Sequence, residues 1–283
     1  MKGLFLAVAS SGQKAPVLNP AAEVVFSLGP IPITNSMIAT WVVAGLLFLF
    51  IRLGTRKLTL VPSGLQNLIE ACVEGLEAMT KGLLEPKVAN WAFPVVATFF
   101  IFILLCNMTD LLPGVGSIGW GVPDPSNPLP AALRETAVPL LRPPTSDANL
   151  TGGMALVFFL TNTWWTIRYQ GPKGLLLHLF GPKGGLRGWI AIPLALIFVA
   201  VGFIEIISIL IRPVALSVRL YGNIFAGEAV LDVMLGYLWG LPAVPFYFLE
   251  VLVAVAQAMV FSLLTIAFTA TTCSHIEEAH PHK

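Results

Sequence analysis

Charge is the scarcest ingredient of this sequence. Asp, Glu, Lys and Arg make up 11% of its 283 residues, against about 25% in an ordinary soluble domain. That excludes a soluble enzyme with a polar surface, a disordered chain and a nucleic-acid binder with a basic face. Net charge is +1, so overall electrostatics selects no partner. Cysteine is sparse as well. Cys72, Cys106 and Cys273 lie far apart, with no CxxC spacing, which argues against a zinc site or a redox pair. Each falls in an apolar or amphipathic stretch and reads as a packing thiol. No HExxH or GxSxG occurs, and no histidine falls in an apolar run long enough to span a bilayer. Covalent chemistry therefore has no candidate group, and neither a cofactor nor a metal is expected. Gly114 to Gly119 matches G-x-G-x-x-G formally, but an apolar span precedes it and a proline-rich loop follows. The dinucleotide reading needs a strand before and a helix after, so it is rejected.

What the sequence has is apolar length: 56% hydrophobic residues and a mean hydropathy of +0.83. A bilayer crossing needs ~20 mostly apolar residues. Five segments qualify: Ile33 to Ile51, Trp91 to Thr109, Leu150 to Ile167, Trp189 to about Leu238, and Val244 to Thr272. Between the first two, Leu65, Leu68, Ile69, Cys72, Val73, Leu76 and Met79 repeat at helical spacing, opposite Gln66, Asn67, Glu70, Glu74 and Glu77. That pattern predicts an amphipathic helix on the membrane surface. The expected fold is an all-α polytopic membrane protein with five membrane-spanning helices and one surface helix.

Lysine and arginine set the orientation. Residues 52–90 carry Arg52, Arg56, Lys57, Lys81 and Lys87, and residues 168–188 carry Arg168, Lys173, Lys183 and Arg187. Residues 110–149 carry only Arg134 and Arg142. The N-terminus is therefore expected outside and the C-terminus in the cytoplasm. Residues 1–32 read as an extracytoplasmic tail whose first ten residues resemble a truncated secretory signal. Residues 33–272 read as the membrane domain and 273–283 as a solvated cytoplasmic tail. The stretch 113–149 holds eight prolines and reads as an extracytoplasmic loop without regular structure.

The informative residues are the charges inside the last two spans: Glu205, Arg212, Arg219, Glu228, Asp232 and Glu250. Each costs ~2.5–3.5 kcal/mol at mid-bilayer even on the lenient insertion scale, so they must face a partner or water. Glu205, Arg212 and Arg219 are successive i, i+7 positions on one helical stripe, with Ser208 and Asn223 near it. Glu250 and Gln257 repeat the spacing in the returning span. Arg219 to Glu228 is roughly 13 Å along a helix, Glu250 to Gln257 roughly 10 Å, and Glu205 to Arg219 roughly 21 Å. Antiparallel pairing of Arg219 with Gln257 at mid-depth puts Glu228 and Glu250 together on the outer side and Glu205 toward the cytoplasm. Two offset aqueous half-paths with a barrier between them need that arrangement. Carboxylates take up and release protons. An arginine, with a pKa above ~12, does not, and so interrupts a continuous proton wire.

The run Arg212-Pro213-Val214-Ala215-Leu216-Ser217-Val218-Arg219-Leu220-Tyr221-Gly222-Asn223-Ile224-Phe225-Ala226-Gly227-Glu228 resembles the signature of subunit a of F-type ATP synthases. Asn107 to Pro113, Pro144 to Asn149 and Gln257-Ala258 resemble further motifs of that family in the expected order. The resemblance implies a stator subunit, without a catalytic site of its own, beside a ring of c subunits. Its further partners would be b-type peripheral stalk subunits, the remaining ATP synthase subunits and the lipid bilayer of an energy-coupling membrane, with no nucleic acid. Arg219 matches the arginine that faces the ring carboxylate, and Gln257 the polar residue beside it. Asn223, Glu228 and Glu250 match the extracytoplasmic half-channel, Asp110, Asp147 and Asn149 its mouth, and Glu205 and Ser208 the cytoplasmic half-channel. The last two helices would be long, tilted and packed along the ring. A self-contained secondary ion transporter or channel is the alternative. It would show inverted repeats and a midplane site, whereas here the charges crowd into the last two spans.

Overall fold

A computed structural model describes residues 22–28, 31–56, 58–112, 118–120, 138–180, 191–235 and 241–279. The possible signal at residues 1–10, much of the proline-rich stretch including Arg134, and residues 181–188 lie outside the described residues. So do the side chains of Asp110, Asp232 and residues 272–283.

The fold is mostly helical. Its helices are α1 (Asn35–Gly54), α2 (Leu65–Leu83), α3 (Pro86–Asp110), α4 (Ala148–Phe180), α5 (Ala191–Leu235) and α6 (Ala243–Ala279). Among the described residues four helices are long and apolar enough to cross a membrane, within α1, α3, α5 and α6. The remaining segment expected to span, Leu150 to Ile167, lies inside α4. Thr151, Gly152, Gly153, Thr161, Asn162 and Thr163 dilute its apolar content. That helix continues into the segment read as a basic loop, with a break at Gly171, whose φ of 72° is a left-handed conformation that glycine tolerates best. α5 has 45 residues, or about 67 Å at ~1.5 Å per residue, more than twice the ~30 Å hydrocarbon core.

Two local features add to or correct the sequence reading near the loops. The tail before the first span closes as an antiparallel hairpin, β1 (Val24–Leu28) against β2 (Ile31–Thr34), with Leu28 opposite Ile31. The proline-rich stretch is not wholly irregular. Gly119–Trp120 (β3) pairs with Val138–Pro139 (β4), and Pro144–Ser146 forms a 3-10 turn. The prolines that suppress α-helix are compatible with both, because their fixed φ suits strand ends and turn starts.

The chain divides into two compact units. One is drawn from Met1–Trp41, Cys106–Asp147 and Gly222–Ala254, the other from Val42–Leu105, Ala148–Tyr221 and Val255–Lys283. In the second unit Leu84, Val88, Ala89, Ala92 and Val96 of the α2–α3 corner and α3 pack with Ile266 of α6, flanked by Met79, Trp91, Trp165 and Ala270. Alanines let helix backbones approach closely, which drives packing where lipid offers no hydrophobic contrast. Trp91 meets Trp165 edge-on at 4.3 Å between centroids, and Phe261 contacts Phe99 and Phe158.

The amphipathic α2 forms where its periodicity predicts, with two differences. Gln66, assigned to the polar face, is buried: its Nε2 donates to the Thr59 carbonyl (2.9 Å) and to Glu70 Oε1 (2.7 Å). Cys72, read as a packing thiol, is exposed, whereas Cys106 is buried as expected. Leu76 and Met79 are covered by the chain, while Leu65 and Leu68 remain exposed, as the outer part of a surface helix would be.

Candidate functional site

In the first unit, α1 starts at a polar knot. Thr34 Oγ1 accepts from the Met37 N–H at 3.4 Å, in the manner of an N-cap, and the Asn35 N–H donates to the Glu23 carbonyl (3.0 Å). Ser36 Oγ donates to Asp147 Oδ2 at 2.5 Å, both residues being buried. Asp147, expected at a channel mouth, therefore sits inside the protein against the start of α1. Asn149 is exposed at the start of α4.

A second cluster of the same unit gathers on α5 and α6. Arg142 Nη2 lies 3.4 Å from Glu228 Oε2, with the two side chains only 7% and 14% exposed. Arg142 Nε donates to Ser146 Oγ (3.2 Å), and Ser146 Oγ donates to the Pro143 carbonyl (2.9 Å). Glu250 is buried, and its carboxylate fills the space beside Gly227 that a Cβ would need. Asn107 Nδ2 donates to the Ala254 carbonyl (3.3 Å), and Asn107 Oδ1 is buried with no partner among the described residues. Two carboxylates and a guanidinium are thus held away from bulk water in one cluster.

Sequence reasoning missed Arg142, counted only as a loop charge, and Gly227. A usable signal existed. Arg142 is followed by Pro143, Pro144 and the Thr145-Ser146-Asp147 turn, a stiff segment able to carry a buried cation.

In the second unit, Ser208, Arg212 and Arg219 line one groove of α5 together with Ile204, Ile207, Ile211, Ala215, Leu216, Leu264 and Phe268, with a volume of about 460 Å³. Of the i, i+7 stripe, Arg212 and Arg219 line this groove and Glu205 does not, and the Arg219 and Ser208 side chains are exposed. The Arg212 guanidinium stacks over the Phe268 ring, 4.8 Å from its centroid. Glu205 and Gln257 are half-buried in this unit, while Asn223 is exposed in the first. Ser217 Oγ and Thr151 Oγ1 lie 3.3 Å apart, a polar contact between α4 and α5 that periodicity did not single out.

Against known proteins, residues 37–270 match the family described as ATP synthase A chain. A protein named ATP synthase subunit a from Moorella thermoacetica is 31% identical over 246 residues, 87% of this chain and 94% of the relative. One of that name from Trichlorobacter lovleyi is 32% identical over 246 residues, 87% of this chain and 89% of its own. ATP synthase subunit a 3 of Pelobacter propionicus is 34% identical over 241 residues, 85% of this chain and 87% of its own. With the arginine and carboxylate positions of α5 and α6 inside the matched range, this chain belongs to the ATP synthase subunit a family.

Proposed function

We propose that this integral membrane protein is the ion-translocating stator subunit of a rotary F-type ATP synthase, and that the ion is a proton. Five spans cross a bacterial plasma membrane, with the N-terminus outside and the C-terminus in the cytoplasm. Arg219 faces the carboxylate of a neighbouring c-ring subunit, with Gln257 beside it. Protons arrive from outside along Asn223, Glu228 and Glu250, past Asp110, Asp147 and Asn149, and leave along Glu205 and Ser208. The ring carries each proton round between the two paths, and the flux drives rotation. At ~2.3 kcal/mol per charge per 100 mV, several protons must pass for each ATP. The b-type stalk and the other ATP synthase subunits hold the stator against that torque. α5 and α6 lie tilted along the ring, which accommodates the 45 residues of α5 in a ~30 Å core.

The observation that carries the reading is Arg219, an exposed arginine on a long apolar helix. Lipid alone would penalise such a side chain, whereas a carboxylate on a partner offsets that cost and Arg219 keeps its charge throughout. The test is Arg219→Ala in the assembled complex. We expect coupled transport to vanish while assembly survives. ATP synthesis at the parent rate would refute the assignment, and proton flux through this chain alone in liposomes would favour the self-contained transporter.

A further inference from the structure

We propose that Arg142 is a positioning residue of the outer ion path: it balances the charge of Glu228 and holds that carboxylate still, leaving Glu250 as the group that takes up and releases the ion. The inference rests on the stator reading above and assigns unequal roles to two carboxylates which that reading treats alike.

The first support is that the Arg142 guanidinium is oriented independently of Glu228. Its Nε is tied to Ser146 Oγ, which is tied in turn to the Pro143 carbonyl within the short turn that precedes α4. Arg142 therefore arrives at Glu228 preorganised rather than as a flexible surface partner. The second is burial. Both side chains are largely removed from water, where an unpaired charge is strongly disfavoured. Third, the charge of Arg142 does not discharge, so a passing proton cannot dissolve the pair by neutralising the cation.

Glu250 is as buried as that pair but has no such cation: among the described residues no basic side chain forms an ion pair with it. It lies instead against the bare backbone of Gly227, next to Glu228 on α5. Arg142 is paired with Glu228, and the buried Asp147 on the turn that orients Arg142 is held by Ser36 Oγ, so Glu250 keeps a charge that no cation among the described residues offsets until a proton joins it. Taking up that proton makes the site neutral and losing it restores the charge, which is the cycle a half-path must repeat. The proton has its place on the carboxylate that no cation already balances.

The experiment measures ATP-driven proton uptake by inverted vesicles bearing the assembled complex, with retention of the ring and stalk subunits checked for every variant. Arg142→Met is expected to lower uptake at least tenfold, and Arg142→Lys to retain at least half. The double variant Arg142→Met with Glu228→Gln removes the balanced pair as a unit and is expected to regain at least fivefold over Arg142→Met alone. Arg142→Met with Glu250→Gln is expected to regain nothing. Normal uptake in Arg142→Met overturns the proposal. So does a Glu228→Gln double variant no better than the single one, through lost transport or lost assembly, because Arg142 would then be only a staple between the turn and α5. Equal rescue by Glu250→Gln overturns the division of roles. Arg219→Ala in the same vesicles separates the two levels: if it transports normally, the stator reading fails whatever Arg142 does.

Discussion

Gly227 and Glu250 share one space. The carboxylate of Glu250 on α6 occupies the position where a Cβ on residue 227 of α5 would lie. Here the missing side chain is required by close approach rather than by backbone conformation. Gly227→Ala must therefore push the flexible end of Glu250 aside, which moves the carboxylate from its place rather than breaking the helix packing. We expect ATP-driven proton uptake to fall at least tenfold with the complex still assembled. Shortening the acid in the same background, Gly227→Ala with Glu250→Asp, should recover part of the loss. Parent-level uptake in Gly227→Ala would show that the position of Glu250 is unimportant.

The bond from Ser36 Oγ to Asp147 Oδ2 joins residues 111 positions apart in a buried setting. Hydrogen bonds to charged groups contribute ~1.5–3 kcal/mol. Ser36→Ala should destabilise the start of α1 by roughly that amount, read as a lowered thermal dissociation temperature of the detergent-solubilised complex. Ser36→Thr, which keeps the hydroxyl, should lose much less. An unchanged dissociation temperature in Ser36→Ala would show that this bond does not hold the start of α1.

How far the sequence revealed this depends on what kind of signal each feature leaves. Long apolar runs are read directly, and α1, α3, α5 and α6 lie where they predict. Helical spacing is equally direct, so Ser208, Arg212 and Arg219 fall on one groove. Partners across the chain leave no such trace. Nothing in local spacing says that Arg142 reaches Glu228 86 residues away, or that Ser36 bonds to Asp147 111 residues away. Amphipathic counting assigned Gln66 to a wet face because it weighs side-chain polarity alone, whereas Gln66 is buried through bonds to Thr59 and Glu70. Proline density suggested irregularity in 113–149 but could not show which prolines close a strand pair or a 3-10 turn.

Ala92 is completely buried in the cluster that joins α3 to Ile266 of α6. A small residue there lets the helices approach, and contact area replaces the hydrophobic effect as the source of association in lipid. Ala92→Leu inserts three carbons at a fully buried position, for ~1–3 kcal/mol of strain. Ala92→Gly should be far milder than Ala92→Leu for close approach, although it costs up to ~1 kcal/mol in helix propensity. The expected order of thermal dissociation temperatures is parent, then Ala92→Gly, then Ala92→Leu. A leucine variant as stable as the parent would mean that this helix contact is looser than the burial indicates.

Arg212 and Arg219 sit one heptad apart in the same groove, yet their surroundings assign them different tasks. Arg212 stacks on Phe268 at 4.8 Å, a cation–π contact contributing ~0.5–2 kcal/mol, so its charge is already accommodated within the chain. Arg219 has no aromatic ring stacked on it among the described residues. Phe268→Leu keeps apolar bulk and removes the ring quadrupole. It should lower the dissociation temperature modestly and leave at least half of the parent proton uptake, and Phe268→Tyr should keep both near the parent. Arg219→Ala should abolish coupled uptake altogether. If Phe268→Leu blocked transport as completely as Arg219→Ala, the stacked guanidinium would belong to the ion path itself, and one arginine would no longer suffice as the barrier.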